Sequence, residues 1–134
     1  MAPVLDTHAW LWWLRRDERL GLDVLDSLDA LPADDRPYVS DISLWEVAML
    51  VDRRRLELTE PLAEWLETAS HPRTVRVVPI SVAIAVETTT LNKTVKDPAD
   101  RIIVATSRTL RAPLLTHDRA ILRSKLAARW TIST

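Results

Sequence analysis

A chain of 134 residues with 47% hydrophobic and 28% charged side chains suits one compact domain, expected over 1–134, that buries about two-thirds of its unfolded surface, and the composition is globular rather than that of a disordered or membrane chain. No cysteine is present, which excludes thiolate catalysis, zinc-finger ligation and disulfides and agrees with a reducing compartment. The net charge of −1 gives no overall basic field for nucleic acid, so any such contact must use a local patch.

A single glycine, Gly21, means that neither a dinucleotide G-x-G-x-x-G turn nor a phosphate-cradling P-loop can be written. No apolar run approaches the roughly 20 residues of a membrane span. The first residues lack the basic, apolar and cleavage regions of a signal peptide. A cytoplasmic protein with no membrane role is expected.

In chain order, Val4 and Leu5 end a first strand, and His8 to Leu14 forms an apolar helix rich in tryptophan. LGLDVLDSLDAL (20–31) places Leu22, Leu25 and Leu28 three apart with aspartates between them, the pattern of an amphipathic helix. Tyr38 and Val39 make a second strand, after which Ser40 or Asp41 caps a helix carrying Ile42, Leu44, Trp45, Val47 and Leu50. Arg53, Arg54 and Arg55 read as its solvated end. TEPLAEWLETAS (59–70) predicts a helix with Thr59 as cap and Pro61 in its first turn.

Val75 to Ile80 make a third strand, and Ser81 begins a helix that runs to about Asn92. DPADRIIVATSRTLRA (97–112) starts a helix with Asp97 at the N-cap and Pro98 at its first position. APLLTHD (112–118) is a buried strand, Ala120 to Leu122 a short helix, and Trp130 to Ile132 a final strand. Alternating strands and helices predict a three-layer α/β/α sandwich with a central parallel sheet.

Most acids occupy polar helix faces or ends, including Asp23, Asp26, Asp29, Glu57, Glu60, Glu64 and Glu67. Four do not. Asp6 ends the first strand, Asp118 ends the PLLTH strand, Glu46 interrupts LWEVAML, and Asp100 stands in the first turn of an otherwise apolar helix. An ionised carboxylate beside a core needs a partner, because desolvation costs several kcal/mol by the usual estimates. For Asp6 alone, an N-cap worth about 1 kcal/mol is the simpler account; for Glu46 alone, a salt bridge to an arginine such as Arg101, or a side chain reaching solvent, is. Asp97 and Asp100, three apart, share a helix face, and Asp97 is already explained as a cap.

Parallel strands deliver their carboxyl ends to one edge of a sheet, where α/β domains bind ligands, so Asp6 and Asp118 converge naturally. Several carboxylates in one cleft repel unless a divalent cation is present, and all-oxygen ligation suits Mg²⁺ or Mn²⁺. Such a site activates water and offsets charge on a phosphate, which makes phosphodiester hydrolysis the leading chemistry. His8 and His117 lie near the same edge as helix-entry or supporting residues, and His71 reads as a loop residue.

The stretches LDTHAWLWWL (5–14), YVSDISLWEVAML (38–50), DPADRIIVATS (97–107) and LLTHDRAI (114–121) resemble PIN-domain ribonucleases, and more narrowly the VapC toxins of type II toxin–antitoxin pairs. The resemblance covers almost the whole chain in the family's order. It implies a PIN-like fold, a metal site at Asp6, Glu46, Asp100 and Asp118, and supporting hydroxyls at Thr7 and Thr116 beside the first and last acids. It also implies cleavage of RNA, a small cognate antitoxin inhibiting through a peptide across the acidic cleft, and a homodimer. Lys96 and Ala99 stand where related members carry a histidine or arginine and an aromatic.

Trp10, Trp12, Trp13, Trp45 and Trp65 are expected in the core, with one or two left for a dimer or antitoxin groove. Arg15, Arg16, Lys93, Lys96 and Arg101 are the candidates for RNA contact. Two other readings compete: a PIN-like module that binds without cleaving, and a Mg²⁺-binding phosphoacceptor receiver domain. The receiver domain needs paired acids after the first strand and a lysine after a late one; this chain has Asp6 alone and Thr116, His117 and Asp118.

Overall fold

The computed structural model describes residues 1–132, so residues 133 and 134 of the expected 1–134 domain lie outside the described residues. Four strands, β1 (Val4–Leu5), β2 (Tyr38–Ser40), β3 (Arg76–Val78) and β4 (Leu114–Leu115), form an all-parallel sheet in the order β3-β2-β1-β4. Among the described residues seven α-helices accompany them: α1 (Thr7–Leu14), α2 (Leu22–Asp29), α3 (Asp41–Asp52), α4 (Leu62–Ala69), α5 (Val82–Thr88), α6 (Pro98–Leu110) and α7 (Arg119–Ser124).

Register explains the three layers. Val4 is level with Tyr38 and Leu114, and Leu5 with Val39 and Leu115. Successive strand residues face opposite sides, so each row enters a different core. Leu5, Val39 and Leu115 pack with the tryptophan-bearing cluster of α1, α2, α3 and α4, including Trp10, Trp13, Leu25 and Val47. Val4 and Leu114 join an aliphatic cluster from α5, α6 and α7, built on Ile84, Ile103, Val104 and Ile121. The predicted α/β/α sandwich is thus present with strands only two or three residues long.

The differences from the sequence reading lie at element ends. The helix expected from Thr59 begins at Leu62 with Pro61 in the cap position and no side-chain cap. Its proline, which has no N–H to donate, marks the boundary itself. The 20–31 helix is a 3₁₀ turn (Glu18–Leu20) followed by α2, divided at Gly21, whose φ of 98° favours glycine. The helix begun by Ser81 stops at Thr88, where Thr88, Thr89 and Thr90 hydroxyls each bond the carbonyl three residues back and compete with its continuation. No strand forms at Trp130 to Ile132 among the described residues; a lone parallel bridge joins Leu114 to Arg129, and Trp130 N–H donates to the Leu114 carbonyl.

Trp10 and Trp13 are buried as expected and Trp65 packs on Trp10, whereas Trp45 is 54% exposed.

Candidate active site

Strand ends β1, β2 and β4 each run directly or within a few residues into a helix, and the caps of those helices are polar. Asp6 accepts the Ala9 N–H at 2.8 Å through Oδ1, Ser40 accepts the Ile42 N–H at 3.2 Å, and Asp118 accepts the Ile121 N–H at 2.9 Å. Asp97 does the same for Asp100 at 3.0 Å. Capping was one of two readings left open for Asp6, and it holds; it also occupies only one carboxyl oxygen.

The other atoms open on a single cleft of about 360 Å³. Asp6 and Glu46 line it from β1 and α3, Asp97 and Asp100 from the start of α6, and Asp118 from the start of α7. Thr7, His8, Trp12 and His117 complete the wall. All four acids singled out in the sequence, and Asp97 with them, therefore meet in one place.

Two of the carboxylates are held by hydroxyls. Thr116 donates to Asp6 Oδ2 and accepts the Asp118 N–H at 3.0 Å, tying the first and last acids through one side chain. Thr7 donates to Glu46 Oε1 at 2.5 Å and lies 2.8 Å from Ser43 Oγ; with its proton committed to Glu46, Thr7 accepts from Ser43. Ser43 is fully buried and was not singled out from the sequence. Its position three residues before Glu46, on the same face of α3, was the available signal.

Burial corrects part of the argument that isolated these acids. Asp6 is buried, Glu46 and Asp100 are half-buried, and Asp118 and Asp97 are exposed; Asp118 qualifies by position, not by burial. The Arg101 partner considered for Glu46 is used elsewhere. Its guanidinium donates to the carbonyls of Thr88, Leu91, Asn92 and Val95 at 2.7–3.2 Å, bracing the segment between α5 and α6. Among the described residues, no basic side chain pairs with the cleft carboxylates.

The electrostatic result is a strained set of charges. Burial pushes the Asp100 carboxyl up to about 7, and the charges of Asp97, Asp118, Glu46 and Asp6 push the same way. Burial raises Glu46 as well, opposed by its Thr7 hydrogen bond, and raises Asp6 against the Thr116 and Ala9 hydrogen bonds. An all-oxygen set with uncompensated negative charge fits a hard divalent cation. Among the described residues no three acidic or histidine side chains already form a cation cage, so the carboxylates share the cleft without closing on one point.

Trp12 stands between the two histidines, its ring centroid 6.0 Å from His8 and 5.7 Å from His117. His71 lies away from the cleft, exposed, and accepts the Arg73 N–H.

The chain is similar to several known proteins. The family model described as PIN domain matches residues 4–125. Ribonuclease VapC22 of Mycobacterium tuberculosis (strain ATCC 25618 / H37Rv) is 34% identical over 119 residues, 88% of each chain. Among solved structures, a toxin–antitoxin complex from Klebsiella pneumoniae superposes with a TM-score of 0.60 at 23% identity, covering 87% of each chain. FitAB bound to an IR36 DNA fragment superposes with a TM-score of 0.67 at 21% identity, covering 95% of this chain and 92% of that one.

Proposed function

The chain belongs to the PIN domain family, and from that premise we propose that it is a metal-dependent endoribonuclease acting as the toxin of a toxin–antitoxin pair. One observation carries the reading: five carboxylates from β1, α3, α6 and α7 line a single cleft with no basic partner among the described residues. The relative named a ribonuclease spans nearly the same length, which supports RNA as the substrate class.

Asp6, Glu46, Asp100 and Asp118 are the residues that would hold Mg²⁺ or Mn²⁺. Such an ion, when bound, activates a water and offsets charge developing on the scissile phosphate. The chain's own work is to aim these acids and, for two of them, to oppose the effect of burial on the carboxylate. Thr116 and the Ala9 N–H hold Asp6 against its burial, and Thr7, itself fixed by Ser43, orients Glu46. Asp97 has a supporting part: it caps α6 and so fixes the backbone from which Asp100 projects.

An antitoxin partner is supported by the toxin–antitoxin complex among the structural relatives. A homodimer is supported by exposed apolar side chains along and just before α5, where Ile80 is 44%, Val82 83% and Val86 59% exposed. Light scattering of Val82→Asp beside the wild type tests it, with a monomer expected from the variant. Among the described residues no helix is long and apolar enough to cross a membrane.

The deciding experiment is cleavage of labelled structured RNA by the purified chain with Mg²⁺, with Mn²⁺ and with EDTA, beside Asp6→Asn. Cleavage that needs both the ion and Asp6 is expected. No cleavage by folded protein, together with no Mn²⁺ uptake in calorimetry, would replace the enzyme with a binding module.

A further inference from the structure

The acidic cleft is not isolated. A second cavity of about 160 Å³ shares His8 and Trp12 with it and is otherwise lined by Arg15, Arg19 and Arg55 over a floor of Leu11, Leu50 and Leu56. His8 and Trp12 are four apart on one face of α1, and Arg15, three residues on, is its C-cap, so the helix carries this lining away from the carboxylates along its length. Arg55, just beyond α3, also lines a third cavity that shares Glu46 and Asp97 with the acidic cleft.

The charges differ in how they are used. Arg16 is paired with Asp29 at 2.5 Å, and Arg101 is spent on four carbonyls, so two of the basic residues expected to meet RNA are otherwise engaged. Arg19 is held by Asp17 and lies with its guanidinium 4.9 Å from the Trp12 ring centroid. Arg15 and Arg55 are exposed and make no side-chain hydrogen bond or ion pair among the described residues.

We infer that the cavity between α1 and the end of α3 receives the strand of RNA flanking the scissile phosphate, with Arg15 and Arg55 on its phosphates and Trp12, flanked by His8, against one base. Unpaired cations next to a half-buried aromatic ring are the combination that single-stranded nucleic acid uses, because guanidinium groups neutralise backbone charge while an aromatic ring stacks on any base. Its position answers an electrostatic problem of the proposed function on which it rests. A cleft lined by five carboxylates repels a polyanion, and cations one cavity away anchor the strand without pairing with those carboxylates.

The test measures anisotropy of a fluorescein-labelled single-stranded oligoribonucleotide in EDTA, so that binding is read without cleavage, over a range of salt. Arg15→Ala with Arg55→Ala is expected to weaken binding about tenfold and to reduce the slope of log affinity against log salt by about 0.7 for each arginine. Trp12→Ala is expected to weaken binding about tenfold at unchanged slope, with Trp12→Phe restoring much of it. Arg73→Ala with Arg123→Ala, both exposed and lining neither cavity, is expected to leave both quantities alone. Circular dichroism melts identify any variant that fails to fold, and Arg15→Gln with Arg55→Gln then replaces the alanines.

Wild-type binding with an unchanged slope in the arginine variant overturns the inference, as does no binding of RNA by the wild type. Arginine-dependent capture of an acidic peptide in place of RNA assigns the cavity to a protein partner and overturns it as well. Metal-dependent cleavage by a chain whose KM ignores both arginines leaves the nuclease standing and removes this subsite; arginine-dependent RNA binding without cleavage does the reverse.

Discussion

Asp6 and Glu46, on the β1 and α3 side of the cleft, each lean on a threonine hydroxyl, and those threonines are fixed in turn by Ser43 or by a bond to the Asp118 backbone. Asp100, on the α6 side, has no side-chain donor among the described residues and faces the other four acids with a carboxyl pushed up to about 7. Burial acts on both sides. The difference is the neutral hydroxyl, which stabilises a carboxylate without adding a positive charge that would compete with a cation. One half of the cleft is organised in advance, and the other half is held in tension until positive charge arrives.

The largest test of that contrast is Asp6→Asn, which keeps shape and capping capacity but removes the most buried charge. RNA cleavage is expected to fall by about a thousandfold or more in kcat with the melting temperature unchanged or raised. EDTA is expected to reproduce the loss in the wild type. Full activity of Asp6→Asn would remove the organised half from the chemistry.

Next in size is the pH dependence of stability without added ions. Asp100, Asp6 and Glu46 all have raised carboxyl values, so the folded chain binds more protons than the unfolded one above the unfolded values of about 4. Their contribution is complete below those values; that of Asp100 is lost as pH rises through about 7, and those of Asp6 and Glu46 as pH rises through their own raised values. The metal-free chain should therefore melt higher at pH 5 than at pH 7.5. At pH 7.5, Asp100→Asn should gain about 1–2 kcal/mol, discounted for partial exposure, or about 2–6 °C. Mn²⁺ should raise the wild type at pH 7.5 and do little for Asp100→Asn. Thr116→Val comes below this, with about 1 kcal/mol of stability and about tenfold in kcat expected to go as Asp6 and Asp118 lose their common tether.

The two halves were unequally legible in the sequence. Asp6, Asp100 and Asp118 could be read because strand ends and helix starts leave short-range signatures: D after VL, DPAD before an apolar run, D after LLTH. Thr7 and Thr116 stood beside them and were named through the family resemblance. Ser43 was not seen, because a serine between two apolar residues on a helix is ordinary until the fold brings Thr7 to it across 36 residues of sequence. Glu46 was reached through neighbours assumed to be core, although Trp45 is largely exposed; Glu46 lines the cleft even though the packing of α3 does not support that premise. Arg101 shows the converse error, since a cation near acids in sequence suggested an ion pair, and only the loop between α5 and α6 reveals four carbonyls that claim it.

The smallest expected effect is also the one that separates two jobs of a single residue. Asp97 caps α6 through the Asp100 N–H and, after burial, is the largest influence raising the Asp100 carboxyl. Asp97→Asn keeps an N-cap of equal rank and removes the charge, so stability at low pH should change by no more than about 0.5 kcal/mol. A carbon-detected NMR titration of the Asp100 carboxyl should then show its midpoint moving down from about 7, part of the way to the ordinary aspartate value, because burial remains. The shift should shrink in high salt, since Asp97 is exposed and its field is screened. An unmoved midpoint would mean that desolvation alone holds Asp100 up, and the tension on that side of the cleft would then be a property of burial and not of the crowd of charges.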